Sequence, residues 1–117
     1  MRRLIFSVVL AGASACDASI THGYGDAETF RQMLLVRTPV GSSIDSARAL
    51  LVRNGFVCKR SVNQRFSTFP VGVTADYLYC DREKITSFPV SRRRQIAHVD
   101  TAGRVMAVYV TTDLTGP

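Results

Sequence analysis

The hydrophobic positions change their period along the chain. Ala27, Phe30, Met33 and Leu34 recur at the spacing of one helical face, and the same 3.6-residue period returns in Ile44, Ala47, Leu50 and Leu51. The first stretch predicts a helix from an Asp26 cap to about Arg37, ended by Thr38-Pro39 because the residue before proline is pushed out of the helical region. The second predicts a helix with Ser42 as N-cap and Asp45 three residues on, in the capping-box position. Arg53 falls in its last turn, Gly55 suits the left-handed position just past its end, and Phe56 can fold back onto Leu51. From there the period is two. Strands are expected at about 56–60, 77–81, 93–99 and 104–112, with Met106, Val108 and Val110 on the apolar face of the last and Tyr109 and Thr111 opposite. Asp100-Thr101-Ala102-Gly103 reads as a four-residue hairpin loop, and 61–74 and 83–91, the latter holding Phe88-Pro89, as long connections. Two helices followed by four strands predict an α+β domain, with both N-terminal helices packed on one face of a four-stranded antiparallel sheet.

The residues before the first helix follow a different logic. Met1-Arg2-Arg3 is a positive n-region, 4–11 an apolar run, and Ala13-Ser14-Ala15 a small-residue cleavage region, the anatomy of a secretory signal peptide. The apolar run is shorter than the ~20 residues that span a bilayer; its other use is as a buried N-terminal strand. Residues 16–25, small, polar and glycine-bearing, read as a flexible tether, which leaves 26–117 as a single domain. Ser14-Ala15-Cys16 resembles the end of a bacterial lipobox, in which the cysteine takes a diacylglyceryl thioether and becomes the mature N-terminus. Here Ala13 stands where a leucine is usual. Two fates follow for the mature chain, free in the periplasm or lipid-anchored through Cys16 to the inner or outer membrane.

The other two cysteines bear on that choice. Cys58 shares a strand face with Phe56, and Cys80 with Leu78, so both sulfurs are expected on an apolar face. In an oxidising compartment they would form a disulfide worth about 3 kcal/mol in the chain-entropy model. Cys16 is then the odd one. Two reduced, buried thiols in a cytosolic protein are the competing reading, and they conflict with the leader.

Composition narrows the function classes. With 117 residues, 46% hydrophobic and 21% charged, the chain builds one modest core. Its net charge of +6 falls to +4 without Arg2 and Arg3, thirteen basic residues against nine acidic, which gives no reason to expect a nucleic-acid partner. His22 lies in the tether, and His98 reads as an ordinary strand residue. No histidine therefore stands beside a nucleophile, no phosphate-cradling glycine motif is present, and the cysteines and histidines are too widely spaced for metal ligation. No catalytic residue, cofactor or metal is expected. Two stretches are candidates for binding. Arg92-Arg93-Arg94 is either a solvated strand end that blunts an edge or a contact for anionic groups on protein, lipopolysaccharide or lipid. The second stretch, 66–73, is apolar for a connection; Phe66 and Phe69 either cover the sheet or present a recognition loop.

The segment Val40-Gly41-Ser42-Ser43-Ile44-Asp45-Ser46-Ala47-Arg48-Ala49-Leu50-Leu51, with Asn54-Gly55-Phe56 after it, resembles the glycine-led helix of small exported lipoproteins related to the outer-membrane-assembly lipoprotein and to β-lactamase inhibitory protein. Those folds place two helices before an antiparallel sheet of three strands, one fewer than here. The resemblance implies a non-catalytic role: binding a protein partner in the cell envelope at the periplasmic face of a membrane. A soluble inhibitor or immunity protein that blocks a secreted enzyme is the alternative.

Overall fold

The computed structural model describes residues 26–87 and 90–115. The expected leader, the tether with Cys16 and His22, and Phe88-Pro89 lie outside the described residues. Two helices, α1 (Ala27–Arg37) and α2 (Ile44–Arg53), precede four strands, β1 (Val57–Gln64), β2 (Ala75–Ser87), β3 (Val90–Thr101) and β4 (Arg104–Thr115). The strands form an antiparallel meander in the order β1-β2-β3-β4. The fold is α+β, with both helices on one face of the sheet.

Local chemistry explains most boundaries. Asp26 caps α1 by accepting from the Thr29 amide at 2.7 Å, and the hydrogen bonds from Thr29 hold its carboxyl below the ordinary range. At the other end the Thr38 hydroxyl donates back to the Leu34 carbonyl at 2.7 Å, and Pro39 follows. The α2 cap is Ser43 rather than Ser42. Ser43 Oγ accepts from the Asp45 and Ser46 amides, while the Ser42 hydroxyl donates to the Pro39 carbonyl at 2.6 Å and closes the preceding turn. The C-terminus of α2 is a Schellman ending: Gly55 has φ +87°, its amide bonds to the Val52 carbonyl, and the Phe56 amide to Leu51.

The linker between the helices is sewn to the β3–β4 hairpin. The Gly41 amide donates to the Val105 carbonyl, the Val105 amide to Ser42, and the Ile44 amide to Gly103, all within 2.9 Å. Phe30, Leu34, Ala47, Leu51 and Phe56 then meet Leu78, Cys80, Ile96, Val105 and Val108 in the main core. Phe30 and Phe56 stack at 6.3 Å between ring centroids. This core uses only part of the sheet. An 11-residue helix is about 16 Å long, whereas a 13-residue strand extends over about 44 Å. The distal part of the sheet therefore lies beyond the helices, where its sequence turns polar.

Three expectations about the strands need correction. First, β2 and β3 run on to Ser87 and from Val90, where sequence suggested a long connection over 83–91. Cross-strand partners sustain them: Arg93 bridges Asp81 at 2.8 Å and Glu83 at 3.2 Å on one face. Second, the β3–β4 loop is two residues, not four. Ala102 and Gly103 have φ of +55° and +80°, both central residues left-handed as in a type I′ turn. Third, Met106 does not share a face with Val108. The register shifts between Val99 and Asp100, pairing Val99 with Ala107 and Asp100 with Val105, so Met106 is the extra residue of a β-bulge. Val105 enters the core and Met106 stands about half exposed.

The disulfide is formed. Cys58 and Cys80 face one another directly across β1 and β2 with Cα atoms 4.0 Å apart, and the bridge ties the edge strand to the sheet over a separation of 22 residues. Replacing both cysteines by alanine is expected to lower the unfolding free energy by about 3 kcal/mol, measured by urea titration of the oxidised parent and the variant. Ala102→Asn should act in the opposite direction by about 1 kcal/mol, because asparagine tolerates the left-handed backbone that alanine resists. An unchanged midpoint would show that the turn is not under this strain.

Candidate interaction surface

The alternation along β2 and β3 buries side chains on both faces of the sheet. Opposite the helices, Tyr77 and Ala97 are buried, with Tyr79, Val99 and Tyr109 beside them. The connection 65–74 folds back to cover them. Turns closed by Phe69 N–H to Phe66 O and Val73 N–H to Pro70 O set its path, and Arg65 donates to the Pro70 carbonyl at 2.7 Å. Phe66 and Phe69 point inward, each 4% exposed. Phe69 packs edge-on against Tyr77 at 5.4 Å and Tyr109 at 4.8 Å, and Phe66 against Tyr77 at 5.9 Å. These two phenylalanines are thus cover for the sheet rather than an exposed aromatic loop; the connection instead exposes Val71 and, in part, Val73.

The arginine triplet is split by the strand period. Arg93 lies on the aromatic face, and its ion pairs with Asp81 and Glu83 raise its already high pKa. Arg94 lies on the helix face, 8% exposed, with its guanidinium 4.5 Å above the Phe30 ring and its Nε donating to the Thr112 hydroxyl at 3.3 Å. Burial, and then Arg92, lower its pKa. Arg92 is half-buried and pairs in register with Lys84. One basic run has therefore become a surface ion pair, a cation seated on the core and a strand-end residue, and the three do not form one patch.

A concavity that sequence reasoning missed lies along the β1 side of the aromatic face. It is an open groove of about 660 Å³ whose walls include Lys59, Ser61, Val62, Tyr77, Tyr79 and Arg93. A polar chain runs along its floor. Lys59 Nζ sits 5.7 Å from the Tyr79 ring centroid, the Tyr79 hydroxyl donates to Asp81 at 3.2 Å, and Asp81 accepts from Arg93. Burial and the Asp81 charge raise the Tyr79 pKa, so this hydroxyl stays protonated as a donor. Around the edge, on the helix side, Arg60 pairs with Asp100 at 2.6 Å beside a cavity of about 150 Å³ that Asp45 and Arg48 also line. Among the described residues no group of three histidine, cysteine, aspartate or glutamate side chains is placed to hold a metal ion. Nor is any described helix long and apolar enough to cross a membrane. In the sequence, only the alternation of residues 57, 59 and 61 in β1 signals which side chains meet on the face of the groove.

His98 is fully buried on the helix face, between Leu78 and Val108 in register. The Thr38 hydroxyl gives its hydrogen to Leu34 and so accepts from His98 Nε2 at 3.0 Å, which leaves Nδ1 as a lone pair with no partner among the described residues. Burial lowers its pKa from 6.5 to about 4. The unfolded chain therefore binds a proton that the folded chain refuses. This stability is fully present above pH 6.5 and is lost as pH falls toward 4, a total of about 3 kcal/mol. Urea denaturation of the parent and His98→Leu at neutral pH and near pH 4 is expected to show the parent losing about that much more than the variant. Equal losses would refute the assignment.

In comparisons with known proteins, no family model, no curated protein and no solved structure matches this chain.

Proposed function

We propose that the chain is a membrane-anchored periplasmic domain that binds a protein partner in the cell envelope without catalysis, carried on a lipid attached to Cys16. The observation that carries the reading is the Cys58–Cys80 disulfide. The chain has three cysteines, and the bridge uses two, in the chemistry of an oxidising compartment. The third is Cys16, directly after the Ala13-Ser14-Ala15 cleavage region. A cysteine at that position becomes the mature N-terminus and the site of lipid attachment, and the tether 16–25 separates it from α1.

The binding role draws on other features. His98, the sole imidazole among the described residues, is neutral, buried and committed to Thr38, which makes it a core residue rather than a base. The resemblance of residues 40–56 to small exported lipoproteins is the other ground for a binding role, with four strands here against the three it implies. Because Phe66 and Phe69 face the sheet, the loop most suited to an inhibitor offers its aromatics to the fold itself. This reading assigns binding to the groove and outer margin of β1, which the exposed Lys59 and Val57 support.

Intact-mass measurement of the mature protein from detergent-solubilised envelope, with a tagged pull-down from the same extract, tests both parts. The expected product begins at Cys16 and carries added acyl mass, and it brings a protein with it. A mature mass equal to the bare polypeptide would overturn the anchor. A lipidated product that brings down no protein would overturn the binding role.

A further inference from the structure

The two edges of the sheet are treated differently. Cys58 and Cys80 lie directly opposite with Cα atoms 4.0 Å apart, the close spacing of a non-hydrogen-bonded antiparallel pair. Lys59 and its neighbours Val57 and Ser61 thus carry the ladder to β2, and Cys58 and Arg60 turn their N–H and C=O groups outward. The same alternation, carried across β2 and β3, puts the Val108 carbonyl on the outer edge of β4. There Arg31 Nε donates to it at 2.9 Å, and the Gly41–Val105 and Val105–Ser42 bonds close the start of the strand. The first part of the β4 edge, from Val105 to Val108, is covered. Among the described residues, no main-chain group outside the sheet bonds to residues 57–62.

Side chains along the β1 edge favour one kind of occupant. Val57 is 73% exposed and Val62 is 56% exposed, an apolar residue toward each end of the strand. Between them is Lys59, exposed, resting over Tyr79, with no carboxylate bonded to it among the described residues. Arg60, on the other face, is neutralised by Asp100 and Asp76. A second copy docked edge to edge in the centred antiparallel register would set Lys59 against Lys59, which disfavours self-pairing. A strand with a carboxylate at that position and an apolar residue opposite Val57 meets no such repulsion. Residues 16–25 carry a single carboxylate, Asp17, at their far end, and do not match this pattern.

We propose that the outer edge of β1 accepts an extended segment of a partner protein as a fifth strand, with an acidic side chain of that segment facing Lys59, which rests over Tyr79 of β2 on its other side. Main-chain bonds to Cys58 and Arg60 would supply affinity, and Lys59 the selection of sign. The inference rests on the reading of the domain as a protein-binding module and names the surface and chemistry of the partner.

The test uses the mature chain with Cys16→Ser and two synthetic extended peptides of alternating valine and threonine, one with a central glutamate and its twin with a central lysine. Binding by fluorescence anisotropy should favour the glutamate peptide, and its saturation should slow hydrogen exchange at the Cys58 and Arg60 amides. Lys59→Glu should reverse the preference, each peptide shifting by about tenfold as a cross-strand attraction becomes a repulsion. Lys59→Gln should bind the two alike, and it guards against a fold defect in the reversed variant. Absence of protection at the two amides, or a preference that survives Lys59→Glu, would overturn the proposal. Self-association of Lys59→Val without peptide binding by the parent would also overturn it, showing that Lys59 only keeps the edge closed. Because the chain tested carries no lipid, failure here beside a lipidated mature protein that captures a partner removes the β1 edge and leaves the anchored binding module standing.

Discussion

The constraint on which this fold turns is that its central strands, β2 and β3, are apolar on both faces over the same few residues. Leu78, Cys80, Ile96 and His98 need cover on one side, and Tyr77 and Ala97 on the other. Two helices suffice for the first face. With no further helix among the described residues, the second face is covered by the β1–β2 connection itself, which explains why that connection carries Phe66 and Phe69 and why they are turned inward. The same demand accounts for the neutral His98: a residue in the middle layer of the main core has no route to water for a charged ring.

Covering both faces over only part of the strands divides the sheet. Near the helices it is a closed, layered core in which a charge is costly. Beyond Asp81, where β1 ends, it continues as three strands held by cross-strand polar contacts, with Arg93 gripping two carboxylates on one face. Arg94 marks the boundary. Its guanidinium lies on Phe30 at the rim of the core, so that its stem packs while its charge reaches the polar side.

Legibility from sequence followed how local each determinant is. Asp26, Pro39 and Gly55 announced the helix ends because caps are set within one turn of chain, and even the slip from Ser42 to Ser43 moved the α2 cap by a single residue. The pairing of Cys58 with Cys80 was readable because strand parity put each beside an apolar residue. Determinants that join distant segments were not readable. The charged stretch 81–84 looked like the end of a strand, since Arg93, which pairs with Asp81 and Glu83, lies ten to twelve residues away across the hairpin. The bulge at Met106 depends on the linker between the helices bonding to Val105, a contact over more than sixty residues that no period in β4 could signal. The groove along β1 was hidden for a related reason: its floor is Tyr79 and Asp81 from the neighbouring strand.

The position of the disulfide also sets an order of events. The ring it closes, from Cys58 to Cys80, contains most of β1 and all of the connection that covers the second face. Before oxidation, β1 is a terminal strand held to one neighbour, and its loss would carry the aromatic cover with it. After oxidation, the two ends of that ring stay together even when the strand frays, and the cover re-forms from a tethered state. Formation of the bond is therefore the event that turns β1 and its aromatic cover from a detachable flap into a permanent part of the sheet.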